Sequence, residues 1–148
     1  MNLGDLLDRI ADFEQQLDRY LLLARDKSKD NSARLVTYCL ALHRRHQECV
    51  MGGLKPKALL AARTAQIKSA PASMHAKRLT IPTTAPDDIT GKELIEAAIS
   101  YNNELLSICR AVLSDRVSKE VCAVLKACAG VKERDIVMLK KMQGMKYF

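Results

Sequence analysis

Residues 39–50, CLALHRRHQECV, set His43 and His46 three positions apart with Arg44 and Arg45 between them. The run has no Gly or Pro and is rich in helix formers, so it is read as helix, and the i, i+3 spacing puts both imidazoles on one face. Two such histidines are metal ligands, a nucleic-acid grip or hydrogen-bonding core groups according to what faces them. The fold therefore turns on which other segment lies opposite residues 39–50.

Working outward, residues 33–51 form one helix, with Asn31 or Ser32 as the cap and Gly52-Gly53 as the stop. Its apolar stripe is read at Leu35, Tyr38 or Cys39, Leu42, His46, and Cys49 or Val50. Before it, residues 3–27 carry Leu6, Ile10, Phe13, Leu17, Tyr20 or Leu21, and Ala24 at helical spacing. A second pair follows. DDITGKELIEAAISYNNELLSICRAVLSD (87–115) offers Asp and Thr caps and repeats Leu94, Ala98, Tyr101, Leu105 and Ile108. SKEVCAVLKACAGVKERDIVMLKKM (118–142) starts at Ser118 without the acid that would complete a capping box, and its Gly130 is expected to mark close helix packing.

The connecting stretch differs in character. Residues 52–86 contain Lys55, Lys57, Arg63, Lys68, Lys77 and Arg78 and no Asp or Glu, so this stretch accounts for six of the seven net positive charges. Its first part, KPKALLAARTAQIKS, predicts a short helix with Pro56 in the first turn, and its second, APASMHAKRLTIPTTAP, an irregular strap.

The two helix pairs resemble each other. ADFEQQLDRYLLLA aligns with ISYNNELLSICRAV, Phe13 over Tyr101, Glu14 over Asn102 and Leu17 over Leu105. CLALHRRHQECV aligns with CAGVKERDIVML, Cys39 over Cys128, His43 over Lys132, Arg45 over Arg134 and His46 over Asp135. The spacing implies a duplicated hairpin.

With these positions the chain resembles the ferritin-like superfamily, and most closely its rubrerythrin-type branch. The resemblance covers residues 3–51 and 90–142 and implies an all-α, four-helix bundle: hairpin 3–51, basic crossover 52–89 with a short extra helix, and hairpin 90–142, in one domain with each hairpin up-down. It also implies a di-iron layer built from a Glu on helices one and three and an ExxH on helices two and four. Glu14 and His46 match that pattern, whereas His43, Asn102, Lys132 and Asp135 depart from it.

The departures change the chemistry. A di-iron layer uses four carboxylates, and this one offers Glu14 and Asp135. Lys132 would oppose a divalent ion about 4 Å away by roughly 8 kcal/mol of gross repulsion at an effective dielectric of about 20. The expected arrangement is a metal-free polar core, with Lys132 paired to Glu14 or Asp135, His43 and His46 as hydrogen-bonding imidazoles, and Asn102 closing the network. The alternatives are a zinc or similar ion on Glu14, His43, His46 and Asp135, or an iron centre with oxidoreductase or storage activity. Arg44 and Arg45 are read as a solvated face.

Other residues carry weaker signals. Five cysteines with no CxxC read as reduced thiols; Cys39, Cys109 and Cys128 can point inward as core residues, or as peroxide-sensitive thiols if Lys132 and the imidazoles lower their pKa. The six cations of the crossover could bind anions or nucleic acid, although no aromatic side chain interleaves them for base stacking. No apolar run suggests a membrane span, and the acidic MNLGDLLDRI start is unlike a signal peptide, so a cytoplasmic protein is expected. The whole reading predicts a non-catalytic bundle that pairs with itself or with a protein partner.

Overall fold

In the computed structural model, which describes residues 1–68 and 70–145, the first apolar stripe becomes α1 (Leu3–Lys27). It buries Leu6, Phe13, Leu17, Tyr20 and Ala24 as the period predicts. Then come α2 (Asn31–Gly52), α3 (Pro56–Thr64), α4 (Ala70–Lys77), α5 (Gly91–Leu113) and α6 (Lys119–Gln143). The protein is all-helical: the described residues contain no strand, only an isolated bridge between Asn2 and Gln66. No described helix is long and apolar enough to cross a membrane.

Two apolar clusters occupy opposite ends of the molecule. One joins Leu3, Leu6, Ala62, Ile108, Val112 and Val121; the other joins Tyr20, Ala24, Val36, Ile95, Leu139 and Met142. Each long helix therefore runs from one cluster to the other, with α1 and α6 in one direction and α2 and α5 in the opposite one. The connection 53–90 carries the chain back along the molecule, so the second hairpin descends and then rises, which reverses the up-down order expected for it. Helix α2 packs on α1, α5 and α6, while α3 and α4 pack on α1 and on α6 and α5 respectively.

Four local expectations change. Residues 70–77 of the expected strap are helix α4, because Pro71 lies in its first turn, where a missing N–H costs no hydrogen bond, and Ala72 and Ala76 bury a narrow face. The crossover helix ends at Thr64, short of the predicted span, whose last residue, Ser69, lies outside the described residues. Helix α2 is turned about its axis relative to its large apolar side chains: Leu35, Tyr38 and Leu42 are 53%, 59% and 60% exposed, whereas Ala33, Val36, Thr37 and Leu40 are buried. A Cβ at Gly130 would meet nothing within 4 Å, so this glycine permits no close approach.

One carboxylate ties two helix starts together. Asp30, and not Asn31 or Ser32, caps α2, accepting from the Ser32 N–H at 3.1 Å and the Ser32 hydroxyl at 2.8 Å. It also accepts the Gly91 N–H at 2.8 Å, the first residue of α5. A Cβ at Gly91 would come within 2.6 Å of Ser32 Oγ, so the approach requires glycine. Beside it Ser28, fully buried, donates to the Ile89 carbonyl at 2.9 Å. Thr90 caps α5, its hydroxyl accepting from the Glu93 N–H and donating to Glu93 Oε1, both at 3.1 Å.

Two substitutions test this account. Gly130→Ala should stabilise by about 1 kcal/mol through helix propensity alone, read as a rise in Tm or in denaturation midpoint; a loss of stability would mean that the position is crowded. Asp30→Ala should cost about 1–2 kcal/mol at neutral pH, as lost helix caps do. The Gly91 N–H above all holds the Asp30 carboxyl below its usual range, against the effect of burial. A depressed pKa contributes stability above the unfolded value of about 4, and that stability is lost as pH falls through the folded one. Acid denaturation curves of the two proteins should therefore converge below about pH 4.

Candidate functional site

Between the two apolar clusters lies a layer of charge. Glu14 (α1) faces α2, where Arg44 Nη1 donates to its Oε2 and Gln47 Nε2 donates to the same oxygen at 3.2 Å. Arg44 Nε also lies 3.5 Å from Asp18, one turn along α1. From α6, Lys132 Nζ donates to Gln47 Oε1 at 2.5 Å. Gln47 thus passes a polar chain from Lys132 to Glu14, with Arg44 answering the carboxylate. These contacts follow from the turn of α2, which brings Arg44 and Gln47 inward at i, i+3.

The sequence had placed these groups differently. Arg44 is half-buried in an ion pair and does not belong to a solvated face; Arg45 does. Lys132 is buried, and none of the described carboxylates comes within 4.0 Å of its Nζ, so its contact partner is a neutral amide in place of Glu14 or Asp135. Asn102 is buried but donates to the Ala98 carbonyl of its own helix at 2.9 Å, and closes no network. His46 turns outward, 3.3 Å from Arg134. His43 Nδ1 is buried without a hydrogen-bond partner, 3.9 Å from Asp135 Oδ1. The repeat does bring two aligned positions together: the rings of Phe13 and Tyr101 meet edge-on at 5.7 Å.

Burial sets the protonation of the layer. It lowers the Lys132 pKa, against the attraction of Glu14 and Asp135, and it raises that of Asp135, against His43 and Lys132. It also lowers His43, which Asp135 opposes, so the imidazole is neutral at pH 7. Burial pushes the Tyr101 phenol up, and Asp135 and Glu14 push it further.

The thiols move opposite to activation. Burial raises Cys39 and Cys128 and takes Cys109 to about 12, although Lys132 pulls Cys109 and Cys128 down. Cys128 Sγ donates to Met51 Sδ at 3.4 Å. All three are protonated at neutral pH, the unreactive form of a thiol.

A metal does not suit these donors. Among the described residues no three His, Cys, Asp or Glu side chains gather at one point. Glu14 Oε2 is held by Arg44 and Gln47, His46 faces away, and two cations share the layer. The cavity here, between Glu14, His43, Lys132 and Asp135, is about 40 Å³, far below the several hundred typical of organic ligand sites.

The basic crossover is divided. Arg63 (α3) forms a two-pronged pair with Asp8, at 3.0 and 3.2 Å, and Arg78 lies 4.0 Å from Glu104, which His75 also contacts at 2.5 Å. Lys55, Lys57, Lys68 and Lys77 are exposed. Helix α3 packs on α1 and α6, and α4 on α1 and α5.

Sequence reasoning missed Arg44, Gln47 and Asp18. A usable signal was present: Glu14 and Asp18 form an i, i+4 acid pair on α1 that needs cations opposite. Comparison of the chain with known protein families, curated proteins and solved structures gives no match.

The layer makes a pH prediction. A buried Lys with a lowered folded pKa binds fewer protons folded than unfolded through the interval between its two pKa values. Stability therefore rises with pH there, up to the unfolded value of about 10.4. Lys132→Met removes that slope: the variant should gain on the unaltered protein toward neutral pH and lose that advantage as pH rises toward 10. Parallel urea midpoints at both pH values would show that Lys132 keeps its ordinary pKa.

Proposed function

We propose that the protein is a non-catalytic, ferritin-like four-helix bundle in which a layer of internal charge has replaced the di-iron centre, and that it acts as a structural or interaction module in the cytoplasm. The observation that carries this reading is Lys132: it is buried and hydrogen-bonded to Gln47 while Arg44 pairs with Glu14, and the ferritin-like resemblance would put a metal-bridging acid at its position. Arg44, and Lys132 in its protonated form, oppose a divalent ion through the same Coulomb repulsion. The three inward thiols are protonated, and the space between Glu14, His43 and Asp135 is only about 40 Å³, so this layer offers neither a thiolate nor room for a substrate at the di-iron position.

Assembly with a second copy or a protein partner is supported by apolar side chains left on the surface of α2 and α6, namely Leu35, Tyr38, Leu42, Val137 and Met138. The test of the central reading is metal analysis of protein produced in medium supplemented with iron and zinc. We expect far less than one metal per chain. Stoichiometric iron or zinc in the unaltered protein would reject the proposal in favour of an oxidoreductase or metal-storage role, and Lys132→Glu measures how much of the exclusion this one side chain supplies.

A further inference from the structure

A second cavity adjoins the charged layer on the side where α1 begins and α2 ends. Its volume is about 140 Å³, and its walls include Leu6, Ile10, Ile108 and Leu125. The polar residues that line it are Glu14, Gln47 and Lys132, and their place in each helix is consistent. Glu14 follows Ile10 toward mid-molecule on α1, Gln47 precedes Met51 on α2, and Lys132 follows Cys128 on α6. The cavity is therefore apolar along its length and polar at the mid-molecule end.

Size and charge restrict the occupant. An apolar cavity of about 150 Å³ admits benzene. At the polar end Lys132 has three donor hydrogens, of which one serves Gln47, and no described carboxylate lies in contact with the ammonium. Glu14, the acid of that end, is already engaged by Arg44 and Gln47. A carboxylate brought to Lys132 would form charge-assisted hydrogen bonds that no described residue supplies. An amine would meet Lys132 with like charge, and a neutral hydrocarbon would leave the ammonium as it is.

The geometry points to a binding site for a small apolar monocarboxylate, its benzene-sized body in the cavity and its carboxylate on Lys132 Nζ. This does not depend on the ferritin-like reading, because it rests on the cavity and on Lys132 alone.

Calorimetric titration of the full chain near neutral pH with benzoate, benzylamine and toluene tests it. We expect saturable benzoate binding at one per chain, at least tenfold tighter than benzylamine. Lys132→Met should weaken benzoate at least tenfold and change toluene less than twofold. Ile108→Phe, which fills the cavity without touching the charge, should abolish binding of both. The proposal is overturned if benzoate fails to bind saturably to the unaltered protein, if benzylamine or toluene binds as tightly, or if either folded variant retains benzoate at full affinity.

Discussion

Lys132 places an ammonium in the middle of the molecule with an amide as its contact partner, and the arrangement of the long helices follows from accommodating it. Removing a cation from water costs several kcal/mol, so the surroundings must return part of that through hydrogen bonding and through acids at longer range. Gln47 supplies the hydrogen bond, and Glu14 and Asp135 supply the field. Three contacts then fix how α6 lies along α2: Cys128 to Met51, Lys132 to Gln47, and Asp135 facing His43. Sliding α6 by one turn toward Met51 would bring Lys132 against an apolar cluster instead.

The same constraint orders the rest of the layer. Glu14 cannot serve Lys132 alone, because Arg44 from the neighbouring helix binds it directly and Asp18 extends that pair along α1. The result is a polar chain across three helices, Arg44 to Glu14 to Gln47 to Lys132, with one amide between the ion pair and the lysine. Such a chain resists single changes. Deleting Arg44, Glu14 or Gln47 leaves a partly buried partner unpaired, at about 1–3 kcal/mol and more for a charged one. Asp30 does comparable work at the end of the molecule by serving two helix starts with one carboxylate.

Much of the framework was legible because long apolar periods settle where helices begin and end. Helix α1 follows its stripe from Leu3 to Lys27, α5 lies within the segment its caps and period marked out, and α6 runs one residue past its own, to Gln143. Helix α2 exposes the limit of that signal. Its bulky Leu35, Tyr38 and Leu42 suggested one face, while smaller Ala33, Val36 and Leu40 form the buried one. Periodicity measures hydrophobicity and not fit, so where three helices converge on α2 the narrow face wins. With that face unrecognised, Arg44 and Gln47 were invisible as site residues, and His46 was drawn inward. Lys132 and Asp135 were found because α6 presents no such conflict, and both are buried. The helix at Ala70–Lys77 was hidden by Pro71, whose punctuation reads the same in a first turn as in a loop.

The two cavities give the layer a further meaning. Glu14, Gln47 and Lys132 line both of them, so the charged chain is a partition, with a small space of mixed lining on one side and a larger, more apolar one on the other. Stability alone argues against a lysine in that partition, since a buried ion pair or cation is often replaced by well-packed apolar side chains without loss. A methionine at 132 would satisfy the apolar cavity and the neighbouring thiols at lower cost. What a methionine cannot do is present a positive charge at the end of an apolar space. The cost of burying Lys132 becomes intelligible when that charge has an anionic group to meet, and the 140 Å³ beside it is where such a molecule would lie.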